Sequence, residues 1–179
     1  VITTLAPVAR KKEVDLELDS DGVPCELAAD AERLRQVFIN LVDNAVKFTP
    51  KGGKVSVVAR VTEVPHSPAE EDDEDAAGAA LLAPLLKQVE VRVVDTGIGI
   101  PAGERAKVFD AFYQVDSSST REYGGTGLGL SIVKRIVDAH GGLVRVDGNA
   151  PTGTVFVVTL PSAQARRAGL PSRVPPAAS

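Results

Sequence analysis

Residues 34–49 constrain the fold of this chain most strongly, because they carry two patterns at helical spacing. Apolar side chains fall on one broad arc of a helix turning about 100° per residue, which predicts a helix packed against a core. The members of this arc are Leu34, Val37, Phe38, Leu41, Ala45 and Phe48. Asn40, Asn44 and Lys47 recur at i, i+4 and i+7 along one edge of the arc. This polar stripe has two open interpretations: the ordinary flank of a surface helix, or one wall of an anion-binding cavity.

Two glycine-rich segments supply what a cavity of that kind needs. In the first, residues 89–94 alternate like a half-buried strand and lead into Asp95, Gly97 and Gly99. Glycines permit positive φ and let a flat ligand approach the backbone closely. A carboxylate at the edge of a core needs a partner, and an exocyclic amine such as N6 of adenine would serve. Because the acid precedes the glycines and Pro101 follows them, a dinucleotide-binding G-x-G-x-x-A turn is rejected.

The second glycine-rich segment, residues 124–130, enters a predicted helix over 128–140. The N-terminus of a helix presents free N–H groups and the positive end of its dipole, so this loop predicts a phosphate site. It is not a P-loop, because no Lys-Ser/Thr pair follows the glycines. Gly141 and Gly142 predict the end of the helix, and His140 is interpreted as a cap at that end.

A long connector, residues 101–127, separates the two glycine-rich segments. Aromatic residues cluster at its start and a polar run of serines follows them, which predicts a lid over the cavity. Phe109 and Phe112 are expected to anchor the start of this lid. A plain surface connector is the alternative.

The remaining segments predict a sheet and an insertion. Strands are predicted at 14–19 and 23–28, paired as a hairpin, and at 54–62, 143–147 and 154–160. Asp30 is predicted to cap the long helix. Residues 63–86 include the acidic run 70–75, which cannot be buried. This composition predicts a solvated loop insertion between two strands, with a partner-docking segment as the alternative.

Composition bounds the class of protein. A chain of 179 residues with 44% hydrophobic residues is typical of one globular α/β domain. Its net charge of -4 argues against nucleic acid as the main partner. The single cysteine, Cys25, excludes an internal disulfide and indicates a reducing compartment, so we expect a cytoplasmic location. No apolar run reaches the length of a membrane span, and the lack of any Met predicts an excised fragment of a longer protein.

Four motifs, in their order along the chain, resemble the N, G1, F and G2 boxes of the sensor histidine kinases. They are residues 40–49, 95–101, 109–112 and 124–130. The resemblance covers residues 14–161 and implies the GHKL (Bergerat-type) ATP-binding fold, an α/β (α+β) two-layer sandwich with a mixed β-sheet packed on helices and an ATP lid. It implies three parts of the chain. Residues 1–12 would be a linker from a missing helical dimerisation and phosphoacceptor domain. Residues 13–162 would be the ATP-binding catalytic domain, and residues 163–179 a disordered tail or linker.

The resemblance also implies a role for each matching residue. Asn44 would bind Mg²⁺, and Asn40 and Lys47 would bind the phosphates of ATP. Asp95 would hold adenine, and Arg121 is a candidate for the γ-phosphate. The expected catalytic residues are therefore Asn40, Lys47 and Arg121. The other expected nucleotide-binding residues are Gly97, Gly99, Ile100, Phe109, Tyr123, Gly125, Thr126, Gly127, Leu128 and Gly129.

Asn40 bears on the reaction that the resemblance implies. In ATP-hydrolysing relatives of the gyrase, Hsp90 and mismatch-repair types, this position resembles a catalytic Glu that activates water, whereas an amide cannot take a proton. Phosphoryl transfer to a protein side chain is therefore expected rather than hydrolysis. The expected acceptor is a His on the separate dimerisation domain, because His66 lies in the insertion and His140 at a helix end. That domain and a response regulator are the expected partners, in a parent that is a homodimer.

Two other functions stay open at this point. An ATP-hydrolysing clamp or topoisomerase-type module would turn over ATP in a steady-state assay. A nucleotide-sensing module would bind ATP and transfer no phosphate. The stimulus and the membrane attachment of the parent do not follow from these residues.

Overall fold

The structure is a computed structural model, and it describes residues 1–22, 24–65, 85–115 and 126–167, which form both helices and strands. The helices are α1 (Ile2–Lys11), α2 (Ala31–Phe48), α3 (Gly129–Ala139) and α4 (Ala163–Arg167). The strands are β1 (Asp15–Ser20), β2 (Lys54–Pro65), β3 (Leu85–Asp95), β4 (Leu143–Gly148) and β5 (Thr154–Pro161). Short 3-10 helices, Ala102–Glu104 and Lys107–Phe109, follow β3. None of the helices in the described ranges combines the length and hydropathy needed to cross a bilayer.

The strands form one mixed sheet in the order β1-β2-β3-β5-β4. β1 runs parallel to β2, with Leu16 opposite Val55. The pairs β2–β3, β3–β5 and β4–β5 are antiparallel. The mixed sheet expected from the resemblance is therefore confirmed.

A hydrophobic core joins one face of the sheet to the helices. Val57, Val93 and Phe156 lie opposite one another across β2, β3 and β5, so their side chains share a face. They belong to one buried cluster with residues of α2 and α3, namely Val37, Leu41, Val42, Ala45, Val46, Val133 and Val137. This arrangement confirms the expected two-layer sandwich.

Helix α2 begins and ends where the sequence predicts. The carboxylate of Asp30 accepts hydrogen bonds from the N–H groups of Glu32 and Arg33 at 3.0 and 3.1 Å, which satisfies two of the free donors of the first turn. At the other end, the buried Thr49 donates through Oγ1 to the carbonyl of Ala45 at 2.7 Å. Both ends of the helix that carries the polar stripe are thus held by side chains.

Helix α1 packs on the domain, although the sequence suggested only a linker there. Leu5 and Ala9 are buried in the core cluster. Lys12, directly after α1, donates through Nζ to the carbonyl of Val46 at 3.0 Å and to that of Lys47. A cation is favourable at this place, because the negative end of the α2 dipole lies there. That residues 1–12 lead to a further domain stays a prediction.

Removing this cation tests how much α1 contributes to the end of α2. We expect Lys12→Met to lower the free energy of unfolding by about 1 kcal/mol, because two carbonyls lose a charged donor. Lys11→Met is the matched control, because Lys11 is exposed in the same turn, and it should change stability by less than about 0.5 kcal/mol. Urea unfolding of the three proteins measures the difference. Equal effects of the two substitutions would contradict the capping role of Lys12.

The hairpin predicted at the start of the chain is wrong. The first strand exists as β1, but residues 24–28 are not a strand, and β1 pairs in parallel with β2 instead. Pro24 lacks an N–H group for a sheet ladder, which explains why the apparent alternation there does not continue the sheet. Val23 lies outside the described residues.

The predicted boundaries of the insertion and of the tail also change. β2 extends to Pro65 and β3 begins at Leu85, so residues 63–65 and 85–86 belong to strands. Residues 66–84, with the acidic run, lie outside the described part of the chain. At the other end, α4 packs through the buried Ala165, and the N–H of Ala163 donates to the carbonyl of Glu26 at 2.8 Å. The tail predicted from residue 163 therefore starts as a helix, and residues 168–179 are outside the described ranges.

Candidate nucleotide site

A cavity of about 480 Å³ lies between α2, the loop after β3 and the start of α3. Its volume falls within the range of small-molecule and cofactor sites. The predicted site residues that line it are Asn40, Asn44, Lys47, Asp95, Gly99, Ile100, Thr126, Gly127 and Gly129. Residues predicted from three separate segments therefore meet in one place. The role of each residue stays a prediction.

Three further predicted residues lie next to the cavity. The N–H of Gly97 donates to Oδ1 of Asp95 at 2.8 Å. The ring of Phe109 packs edge-on against Phe156, which lines the cavity, with ring centroids 6.3 Å apart. Leu128 occupies the N-cap position of α3. These three residues support the cavity wall instead of forming its surface.

The segment predicted to be the lid is described at its two ends. The N–H of Phe112 donates to the carbonyl of Gly127 at 3.0 Å. Gly127 has φ of 69°, and a Cβ there would come within 2.7 Å of the Phe112 backbone, so only glycine fits. The two ends of the segment thus meet beside the cavity. Arg121, Tyr123 and Gly125 lie outside the described residues, and their roles stay predictions.

The prediction that Phe112 anchors the lid is wrong. Its side chain is 75% exposed and its φ is 64°, a left-handed conformation that turns the chain. Val108, which is buried, and Phe109, packed on Phe156, hold this region instead. In the aromatic cluster, Phe112 therefore lies at a turn, whereas Phe109 makes the buried contact.

Asp95 is a buried carboxylate that lines the cavity. Its residue exposure is 3%, and Oδ1 accepts hydrogen bonds from the N–H groups of Gly97 at 2.8 Å and Thr154 at 3.0 Å. Burial raises the pKa of Asp95, while these hydrogen bonds, with one from the Thr154 hydroxyl, act to lower it. A carboxylate held this rigidly can accept a further hydrogen bond from a donor in the cavity. An exocyclic amine is such a donor.

The polar stripe of α2 lines the cavity together with the first residues of α3. Nδ2 of Asn40 lies 3.4 Å from the carbonyl of Gly129, so it joins the two helices. Asn44 and Lys47 line the same cavity, and the ammonium of Lys47 lies 5.2 Å from the centroid of the Phe48 ring. Amide oxygens, an ammonium and a helix N-terminus suit a polyanion and its counter-ion.

Sequence reasoning missed several of the residues that line the cavity. They are Asp43, Ala45, Phe48, Ile98, Pro101, Val108, Tyr113, Gln114, Val115, Leu130, Thr154 and Phe156. Val108 and Phe156 fit the same apolar patterns as core residues, so periodicity cannot separate the two roles. Thr154 comes to Asp95 only through the pairing of β3 with β5. The one local sign that Thr154 could belong to the site was its position at the start of a strand, just after Gly153.

A comparison with models of protein families decides the class of this domain. Residues 29–164 match the family described as the histidine kinase-, DNA gyrase B-, and HSP90-like ATPases. The chain belongs to this family. The resemblance stated from the four motifs is confirmed, as is the GHKL fold.

Named relatives agree with this assignment. The hybrid signal transduction histidine kinase D of Dictyostelium discoideum is 39% identical over 86% of this chain. The structure of full-length ShkA in complex with AMPPNP is 32% identical, with a TM-score of 0.66, over 90% of this chain and 28% of that one. The structure of histidine kinase ThkA in complex with response regulator protein TrrA is 26% identical, with a TM-score of 0.64, over 93% of this chain and 39% of that one. This GHKL domain spans only 9% of the first relative's length and 27% of the length of a second, MprB of Mycolicibacterium paratuberculosis.

Proposed function

We propose that this GHKL domain binds Mg-ATP in the cavity and passes the γ-phosphoryl group to a histidine on a separate dimerisation domain of its parent protein. One observation carries the proposal: a single cavity joins the buried carboxylate of Asp95 to the amide and ammonium groups of α2. The first end suits a purine base with an exocyclic amine. The second suits phosphates. The AMPPNP complex of ShkA supports a nucleoside triphosphate as the ligand.

The phosphate end has the groups that phosphoryl transfer requires. Lys47 supplies a positive charge, and Asn40 bonds the first turn of α3, where free N–H groups can bind phosphate oxygens. Asn44 offers an amide oxygen of the hard type that Mg²⁺ prefers, and phosphates and water would complete the shell. When bound, the ion would neutralise charge on the phosphates. Positioning and charge neutralisation account for most of the catalysis of phosphoryl transfer.

The nucleophile has to come from outside the described part of this chain. Both ring nitrogens of His140 are engaged: Nδ1 lies 2.7 Å from the carbonyl of Ile136, and Nε2 accepts from the N–H of Asp30 at 3.0 Å. This supports the interpretation of His140 as a cap of α3. His66 lies outside the described residues. In the transfer, the bond from the γ-phosphorus to ADP breaks while a bond to an imidazole nitrogen of the acceptor forms.

The partners follow from the same proposal. A histidine that receives the phosphoryl group would pass it on to a response regulator, and the complex of ThkA with TrrA supports a partner of that kind. The acceptor domain would precede α1, and the parent would be a homodimer.

Asn44 is the proposed ligand of the metal. Asn44→Ala should reduce the Mg²⁺ enhancement of ATP affinity more than it reduces the affinity measured without Mg²⁺, because the metal loses a protein ligand. Titration calorimetry with and without Mg²⁺ measures both quantities. Gln36→Ala is the matched control, because Gln36 is an amide on the same helix that does not line the cavity. A variant that keeps the full Mg²⁺ enhancement would contradict this role.

A steady-state assay of phosphate release separates transfer from hydrolysis. Asn40 is an amide and cannot take a proton from water, so we expect ATP turnover by the chain alone to stay close to background. An Asn40→Glu variant places a base at that position and serves as the positive comparison. Rapid release of phosphate by the unmodified chain would support an ATP-hydrolysing module instead.

A further inference from the structure

Two side chains outside the cavity hold the two ends of the loop that carries Asp95. Nδ2 of Asn149 donates to the carbonyl of Asp95 at 2.8 Å, at the start of the loop. Nε of Arg105 donates to the carbonyl of Ile100 at 3.1 Å, at its end. Neither Asn149 nor Arg105 lines the cavity. The contacts of these two residues with the loop are therefore made from behind it.

The turn between β4 and β5 brings Asn149 to this position. The N–H of Asn149 donates to the carbonyl of Gly153 at 3.0 Å, which closes the turn. Gly153 packs against the loop so closely that a Cβ there would lie 2.0 Å from the Asp95 carbonyl oxygen. The turn thus forms a rigid support directly behind Asp95.

Arg105 reaches the same turn from the other side. It follows the 3-10 helix Ala102–Glu104, and its guanidinium lies over Gly148, where a Cβ would come within 2.5 Å of Nη2. One side chain therefore contacts both the Ile100 carbonyl and the residue before Asn149. The side chains that hold the two ends of the loop, Asn149 and Arg105, are therefore both positioned by the β4–β5 turn.

Helix α2 restrains the middle of the loop. The N–H of Ile98 donates to the carbonyl of Phe48 at 3.3 Å. The backbone from Asp95 to Ile100 is thus hydrogen-bonded at its start, middle and end. Fixing a backbone before a ligand arrives reduces the conformational entropy that is lost on binding.

We infer that Asn149 and Arg105 are positioning residues that hold the Asp95 loop in its base-binding geometry and so set the preference for adenine. The inference rests on the proposed function, because it assigns the base to Asp95. Loss of either side chain frees one end of the loop and leaves the phosphate end of the cavity in place. The affinity for the base should fall, and the contacts with the phosphates should not.

The test compares ATP with inosine triphosphate, which has a carbonyl oxygen in place of the exocyclic amine and the same ribose and phosphates. The variants are Asn149→Asp, which has the same shape but cannot donate, Asn149→Ala, and Arg105→Leu, which keeps an apolar stem over Gly148. Arg135→Leu, on the exposed side of α3, is the control for loss of a positive charge. Dissociation constants come from calorimetry, and melting temperatures are recorded for each variant.

We expect the dissociation constant for ATP to rise about three- to tenfold in the Asn149 and Arg105 variants, the effect of one lost hydrogen bond. The constant for inosine triphosphate should rise less than about twofold, and Arg135→Leu should change neither. Equal changes for both nucleotides, or no change for ATP, would overturn the inference. If the unmodified chain itself fails to bind ATP, or does not prefer it over inosine triphosphate, the proposed function fails as well.

Discussion

Asp95→Asn is expected to lower the affinity for ATP at least tenfold while leaving the fold intact. The amide oxygen of Asn can still accept the hydrogen bonds from Gly97 and Thr154 that Oδ1 of Asp95 accepts. Its NH₂ group, however, is a donor and would face the donor amine of adenine. A charge-assisted hydrogen bond is worth roughly 1.5–3 kcal/mol, which corresponds to about ten- to a hundredfold in affinity.

The pH dependence of stability separates this effect from unfolding. Burial raises the pKa of Asp95 in the folded, nucleotide-free protein, so protonation of this carboxyl favours the folded state over the unfolded state. This contribution to stability is lost as pH rises through the folded-state pKa. The neutral amide of Asn does not carry the energetic cost of burying an ionised carboxylate. The variant should therefore be at least as stable as the parent sequence near neutral pH, and its advantage should shrink towards acid pH.

Calorimetric titration with ATP and thermal melts between acid and neutral pH measure both quantities. Thr96→Ser is a suitable control, because it changes the side chain next to Asp95 and keeps a hydroxyl. That hydroxyl can still accept the hydrogen bond from the N–H of Lys54, as Oγ1 of Thr96 does. An Asp95→Asn variant with the ATP affinity of the parent sequence would exclude Asp95 as the base-binding residue. A variant that fails to fold would contradict the interpretation of its hydrogen bonds.

Gly153→Ala is expected to have the largest effect on stability, a loss of about 3 kcal/mol or more in the free energy of unfolding. Gly153 has φ of 127°, and an added Cβ would lie 2.0 Å from the carbonyl oxygen of Asp95. The contact is with backbone, so it cannot be relieved by turning a side chain. Any protein that folds should also bind ATP more weakly, because Asp95 has to move.

Two other glycines separate steric exclusion from backbone strain. Gly52 has φ of 80° and no atom within 4 Å of the place that a Cβ would occupy, so Gly52→Ala should cost only about 1–2 kcal/mol. Gly103 has open space and no positive φ, so Gly103→Ala should be neutral or slightly stabilising. Urea unfolding of the three variants gives the order. A Gly153→Ala variant no less stable than Gly52→Ala would contradict the close contact with Asp95.

The parts of the fold that follow from local periodicity were predictable from the sequence. The arc of apolar residues in α2 and the capping carboxylate of Asp30 depend on neighbours within four residues. The strands β2, β3, β4 and β5 were found near their observed positions for the same reason. The cavity walls followed from motifs that each lie within one segment.

The parts that depend on contacts between distant segments were not predictable. β1 pairs with β2 across α2, and no local pattern distinguishes that parallel pair from a hairpin. Helix α1 contains Pro7, which argues against a helix until its packing on the core is known. Asn149 and Arg105 bond backbone carbonyls elsewhere in the chain, and such bonds leave no signal in the sequence around either residue.

The proposed function divides the reaction between two domains: this GHKL domain holds Mg-ATP, and the acceptor histidine lies on another domain. The decisive experiment is incubation with ATP labelled at the γ-phosphate, first with the chain alone and then with the dimerisation helices of its parent added. No histidine in the described part of the chain lines the cavity. Without a nucleophile held in line with the γ-phosphate, the reaction loses several kcal/mol of catalysis. We predict no labelling of the chain alone, and acid-labile, base-stable phosphate on the added helices. Strong labelling of the chain itself, or none on the helices, would contradict this division.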